Sequence, residues 1–286
     1  GVAFFWGTTF LAIKIGVKTM PPFLMAGSRH FIGGVLICSF FLIKGHKLPD
    51  WSQFKVFIIN GFLLLVLGNG LVTWAEIYIS SGLAALICAL TPLSIITMNM
   101  LFGAHKEKLK AKAIAGIVVC LAAQVIIFRD NLKELADPNY LTGVLFIVIA
   151  IIGWGLGSIY SKNKQTGIAP LYTAGLQMIS AGTILLIFGS LIGEWPMFKP
   201  DAEGIYSLAY LIVFGSLIAF GSYMYVLKQL PATIVSTYAY INTIVAVILG
   251  WLWLDEKLNA AVIIAVILTI GGVWLVNSSF SKKEKV

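Results

Sequence analysis

A few polar side chains stand out in an otherwise apolar chain, and their spacing limits what they could do. Arg29 lies about seven positions into an apolar stretch that opens at Pro22, roughly 10 Å along a helix rising 1.5 Å per residue. A guanidinium facing lipid at that depth is costly, so it must face the protein interior or a water-filled cavity, or snorkel outward. It could anchor an anionic group such as a substrate carboxylate. The alternative is a structural pair with a backbone carbonyl or with an acid such as Glu76. Asn69, Thr73 and Glu76 follow one another at spacings that put all three on one helix face, with Trp74 beside them,. A polar stripe on an apolar helix is expected to line a cavity, where Glu76 could take up a proton and link events there to a proton gradient. The competing reading is a solvated acid at a helix end.

Aromatic and amide side chains extend the set. Trp6 and Trp154 each precede a glycine, and Ser158 and Ser161 share a helix face with Trp154. A tryptophan so placed could wall or gate a cavity, although packing or an interfacial belt is the commoner role. Tyr238 and Asn242 stand one turn apart, in a stretch with Ser236, Tyr240 and Thr243. Thr91, Ser94, Thr97 and Asn99 form a similar polar series. Cavity lining and interhelical hydrogen bonding, the latter worth about 1 kcal/mol per contact, both account for such side chains. Gly27 and Gly34 are seven apart, as are Gly175, Gly182 and Gly189, which suits close helix packing or sliding,.

These side chains need apolar helices to hold them. Of the 286 residues, 59% are hydrophobic and 11% charged, and the mean hydropathy is +0.94. No soluble interior hides that much apolar surface, so lipid is the solvent. Ten apolar stretches are expected to span it: 2–17, 22–43, 54–74, 82–102, 111–128, 141–161, 170–192, 205–227, 232–254 and 260–276,. Residues 129–140 form the polar linker between two five-helix units, 1–128 and 141–286, the second ending in a short basic tail. The first residue is Gly inside an apolar run, so residues are expected upstream, and no cleavable signal pattern is read,.

Charge gives the orientation. With the N-terminus inside, inner loops hold Lys44, Lys47, Lys55, Lys106, Lys108, Lys110, Lys112, Lys162, Lys164, Lys228, Lys282, Lys283 and Lys285. Outer loops and helix ends hold only Lys14, Lys18, Arg129, Lys133, Lys199 and Lys257. The bias places both termini in the cytoplasm. It also accounts for the net charge of +8 without a nucleic-acid partner. Cys38, Cys88 and Cys120 lie within apolar runs without CxxC spacing, so neither disulfides nor a thiolate metal site is expected,.

The chain also repeats itself. A shift of 148 pairs Trp6 with Trp154, Gly7 with Gly155, Lys14 with Lys162, Pro22 with Pro170, Ala26 with Ala174, Gly27 with Gly175 and Gly34 with Gly182. The same shift pairs Arg29 with Gln177, and a shift of 151 relates 74–92 to 225–243. Five spans per unit is an odd number, so the second unit enters the membrane inverted. Transporters use this construction for alternating access.

Several of these residues also carry a resemblance. Trp6-Gly7-Thr8-Thr9-Phe10, Pro21-Pro22 and Ala26-Gly27-Ser28-Arg29 resemble the opening of EamA-type transporters of the drug/metabolite transporter superfamily. Gly68-Asn69-Gly70, Thr73 to Glu76, Thr91-Pro92, Phe214-Gly215-Ser216 and the run from Ser236 to Asn242 extend the likeness over both halves. The bacterial inner-membrane exporters look most similar. Thr243 stands where that family usually has proline, whereas Pro92 keeps it in the first half. The resemblance implies ten helices and export of small metabolites, amino acids or toxic compounds.

The expectation is therefore an all-α, multi-pass protein of the bacterial inner membrane, with ten transmembrane helices as two inverted five-helix repeats. It would act as a secondary transporter, with a small-molecule substrate, the bilayer and protons as partners, as a monomer or weak homo-oligomer. No HExxH, GxSxG or phosphate-loop motif points to an enzyme, a metal or a cofactor,. An uncoupled facilitator, an importer, a channel, and an intramembrane enzyme or lipid-handling protein are the alternatives.

Overall fold

The computed structural model describes residues 1–286 except 103–109, 131–135, 165, 237 and 281–286. Parts of the expected linker 129–140, the basic tail, Thr237, Lys106, Lys108 and Lys133 thus lie outside the described residues. Everything described is helix or connection, with no strand among the described residues. The helices are α1 (Val2–Gly16), α2 (Pro22–Ile43), α3 (Trp51–Gly61), α4 (Leu71–Tyr78), α5 (Ser81–Cys88), α6 (Thr91–Phe102) and α7 (Ala111–Asp130). The second half has α8 (Pro138–Asn163), α9 (Pro170–Leu191), α10 (Ala202–Tyr210), α11 (Gly221–Gln229), α12 (Ala232–Val235), α13 (Tyr238–Leu254) and α14 (Ala260–Phe280).

Two π-helical segments, Phe62–Gly70 and Leu211–Phe220, join α3 to α4 and α10 to α11. Each makes one continuous 28-residue helical stretch, Trp51–Tyr78 and Ala202–Gln229. Counting these, seven helical stretches among the described residues are long and apolar enough to cross a membrane, and Val2–Gly16, Ala111–Ala123 and Ile241–Leu254 are shorter apolar helices. Large side chains such as Leu36, Val118, Leu145, Trp251 and Ile267 project outward, as a lipid-facing surface requires,.

Helix starts follow ordinary capping chemistry. Asp50 closes a capping box with Gln53 at α3, Asp201 accepts from the Gly204 amide at α10, and Pro22, Pro138 and Pro170 open α2, α8 and α9,. Two caps are long-range. Glu194, just beyond α9, accepts from the amides of Phe23 (3.3 Å) and Leu24 (2.8 Å) at the start of α2. Glu256, beyond α13, accepts from the amides of Ser81 (2.7 Å) and Gly82 (2.8 Å) and from the Ser81 hydroxyl (2.7 Å) at the start of α5.

Glycines bring α2 and α9 together. A Cβ on Gly34 would meet the Ile179 amide at 2.6 Å and the Gly175 carbonyl at 2.8 Å, and one on Gly182 would strike the Phe31 backbone. Gly27 faces Leu186, Gly175 faces Ile37 and Cys38, and Gly189 faces Leu24 and Glu194. The sequence treats the ninth span as one helix, but it divides into α12 and α13. α12 ends at Val235 with Ser236 in a turn, and Thr243 lies within α13, its hydroxyl donating to the Ala239 carbonyl at 2.9 Å. In the first half, α5 ends at Cys88 before Pro92. Pro92 has no N–H to give the Cys88 carbonyl, and the Thr91 hydroxyl donates to it instead at 2.6 Å,.

Candidate functional site

A cavity of about 70 Å³ lies among α1, the first π-segment, α4, α5, α6, α8 and α13. Of the expected site residues, Trp6, Asn69, Trp154, Tyr238 and Asn242 line it, together with Thr9, Phe10, Val72, Cys88 and Thr91. Both halves of the chain contribute.

One wall is aromatic. The Trp6 ring meets Trp154 at 5.2 Å, Tyr223 at 5.1 Å and Tyr238 at 4.8 Å between centroids. Trp154 also meets Tyr223 at 5.2 Å. These separations suit edge-to-face and tilted packing. Polar bonds fix the cluster. The Trp6 indole N–H donates to the Gly215 carbonyl at 3.2 Å, and Ser158 shares a hydrogen bond of 2.6 Å with the Tyr223 hydroxyl. Ser158 also donates to the Trp154 carbonyl at 2.6 Å, so it supports the aromatic wall from behind instead of lining the cavity.

The polar wall rests on Arg29. This side chain is buried; its Nε donates to the Ser216 hydroxyl at 2.9 Å and its Nη1 to Asn69 Oδ1 at 3.4 Å. Arg29 is not on the cavity surface but orients Asn69, which is. With its Oδ1 engaged by Arg29, Asn69 keeps its NH2 as a donor for a ligand. Asn242 offers the complement: its Oδ1 is buried without a hydrogen-bond partner. The cavity thus combines a donor, an acceptor and aromatic faces, the pattern of a site for a small amphipathic solute.

Both π-segments supply this site. Gly68 and Asn69 come from the first, Gly215 and Ser216 from the second. A π-turn shifts side chains relative to an α-helical register, and such turns recur at functional sites. The sequence signal was present in Gly68-Asn69-Gly70 and Phe214-Gly215-Ser216, but the change of helix type was not legible. Tyr223 carried no signal of its own.

Other expected residues sit elsewhere. Thr73 is buried and donates to the Asn69 carbonyl at 2.9 Å. Trp74 packs against Phe23 and Phe146, with ring centroids at 4.7 and 4.5 Å. Gln177 lines a separate cavity with Asn60. Glu76 is fully buried, not solvated, and neither carboxyl oxygen has a hydrogen-bond partner. The Lys14 ammonium lies beside it, donating to the Glu76 carbonyl and, at 2.8 Å, to the Ile79 carbonyl. The correct helix face thus became several environments, because neighbouring helices cover the stripe beyond Asn69. Gly27, Gly34, Gly175, Gly182 and Gly189 all serve the α2–α9 contact. No His, Cys, Asp and Glu grouping fit for a metal occurs among the described residues.

Comparison with known proteins agrees with this architecture. The model of the EamA-like transporter family matches residues 1–129 and 141–278. "Uncharacterized inner membrane transporter YedA" of Escherichia coli (strain K12) is 36% identical over 86% of this chain and 78% of its own length. "Uncharacterized transporter YoaV" of Bacillus subtilis (strain 168) is 25% identical over 99% of this chain and 96% of its own. A solved structure described as "Crystal structure of protein" superposes with a TM-score of 0.71 over 96% of this chain and 94% of that one; at 20% identity it shows likeness of fold alone. On these matches the chain belongs to the EamA-like transporter family.

Proposed function

We propose that this membrane transporter is a secondary exporter of small amphipathic metabolites, amino acids or drug-like compounds across the bacterial inner membrane. The cavity carries this reading: it is built from both halves, and Trp6 and Trp154, equivalent in the repeat, face each other across its wall. Ten helices in two inverted repeats, with both termini in the cytoplasm, would hold it near the midplane. In that orientation the aromatic cluster lies on the cytoplasmic side of the cavity. Asn69 and Asn242 bind the polar end of the solute, Arg29 holds Asn69 in position, and the aromatic rings cover the apolar end.

Alternating access follows if the aromatic cluster opens while the opposite end of the cavity closes. Glu76 carries the coupling proton in this scheme. A buried carboxyl with no fixed hydrogen-bond partner changes its charge by one unit when a path to water opens, and Lys14 is placed to feel that change. The solute itself leaves unaltered.

The test is flux of a mixed amino-acid and metabolite pool through proteoliposomes, with and without an imposed proton gradient. Gradient-dependent accumulation of unmodified solute is the expected result. Flux without saturation would indicate a channel, and chemical alteration of the solute would indicate an enzyme.

A further inference from the structure

A second cavity, of about 50 Å³ and open to the surface, lies between α3, the far end of α8, the start of α9 and α11. The transport scheme does not use it. Among the described residues its lining includes Lys162, Lys164 and Lys228 and no Asp or Glu. Lys162 donates to the Lys228 carbonyl at 3.4 Å, which leaves further N–H groups for a ligand,. Deeper in, Asn60 and Gln177 are each 1% exposed. Asn60 Oδ1 and Gln177 Oε1 are buried without a hydrogen-bond partner. Ser161 and Thr166 complete the polar lining.

Buried acceptors without donors destabilise a fold unless something else satisfies them. A bare anion would match the lysines and leave both amide oxygens unserved. A sugar or polyol would serve the amides and leave the lysines without a counter-charge. An oxyanion carrying its own hydroxyl donors fits both. We propose that this cavity binds a glycerol-phosphate group, with the phosphate toward Lys162, Lys164 and Lys228 and the hydroxyls donating to Asn60 and Gln177. That chemistry is shared by the headgroup of phosphatidylglycerol and by free glycerol 3-phosphate. Basic pockets between helices on a cytoplasmic face take such headgroups.

Binding to the delipidated full chain in detergent is the test, and it needs no assumption about flux. Native mass spectrometry would read retention of phosphatidylglycerol against phosphatidylcholine. Thermal shift would read glycerol 3-phosphate against inorganic phosphate at equal ionic strength. The expected result is selective binding of at least one glycerol-phosphate probe, weakened about fivefold for each lysine removed in Lys162→Gln/Lys164→Gln. Lys44→Gln/Lys47→Gln, outside this cavity, should bind as the wild type does. Gln177→Met keeps the lysines but should lose the preference for glycerol phosphate over inorganic phosphate. Binding of the lipid alone assigns the site to the membrane; binding of the free phosphate as well assigns it to a solute. No binding by the wild type, equal loss in both lysine pairs, or an unchanged preference in Gln177→Met would overturn the proposal.

Discussion

Trp6 and Trp154 stand 148 positions apart, and their indole rings meet edge to face at 5.2 Å and 86°. The two positions match at that shift of the sequence, and the fold brings them into contact. Tyr223 and Tyr238 pack around the pair. Trp6→Ala would open this wall. The expected outcome is a leak: passive solute efflux from proteoliposomes rises severalfold while the gradient-driven component falls. Trp6→Phe should keep most of both. Equal behaviour of the two variants would remove the ring from any gating role.

Glu76→Gln removes the ionisable group and keeps the shape. Accumulation driven by a proton gradient should disappear, and solute exchange at equal pH should persist. If accumulation survives, proton coupling lies on another residue or is absent.

Arg29 touches the cavity only through Asn69. Arg29→Lys keeps the charge and loses the fork that spans Asn69 and Ser216,. The apparent KM should rise by about 10- to 150-fold, in line with one displaced charge-assisted hydrogen bond of about 1.5–3 kcal/mol. Ser216→Ala should move KM in the same direction by less. A fall in maximal rate at constant KM would contradict a positioning role.

Gly34 lies where backbones approach: an added Cβ would meet the Ile179 amide at 2.6 Å. Gly34→Val should destabilise by about 1–3 kcal/mol as α2 is pushed from α9. Melting in detergent would show this as a lower Tm. Gly271, where an added Cβ meets nothing, is the control, and Gly271→Ala should leave Tm near that of the wild type.

Glu194 lies outside the apolar stretches. Burial raises its carboxyl above the usual carboxylate range, and the Leu24 and Phe23 amides oppose that shift. An acid raised on folding stabilises most below its unfolded value, about 4.3, and that contribution is lost as pH rises through the folded value. The Tm of the wild type should therefore fall relative to Glu194→Gln as pH increases from about 4 to 7. Glu194→Ala should cost about 1–2 kcal/mol near pH 4, because the start of α2 loses its cap, and less as pH rises. A pH-independent difference between wild type and Glu194→Gln would contradict the raised value.

Hydropathy alone made the helical stretches legible, since each apolar run must hide its backbone polar groups by coiling. Observed bounds differ from the expected ones by a few residues, as with 54–74 against Trp51–Tyr78. The cavity's tryptophans and its amides Asn69 and Asn242 were legible too, as polar or matched residues in apolar context. Four features were not. The π-turns depend on hydrogen-bond register, which composition does not encode. Trp74, on the same short helix as Glu76, turned toward Phe23 and Phe146 because α2 and α8 lie there. Gln177 met Asn60 from α3 in place of an analogue of Arg29's surroundings. The burial of Glu76 follows from helices that arrive from distant sequence.

The carboxylates of Glu194 and Glu256 each hold the first amides of a helix from the other half of the chain. α2 is thereby fastened to α9 at one end as well as along its glycine face, and α5 to the loop after α13. A movement that keeps these bonds carries each pair as one body, so the first half of the chain depends on the second for the starts of α2 and α5. A chain cut within residues 131–137 and expressed as two pieces should therefore regain its fold only when both pieces are made together.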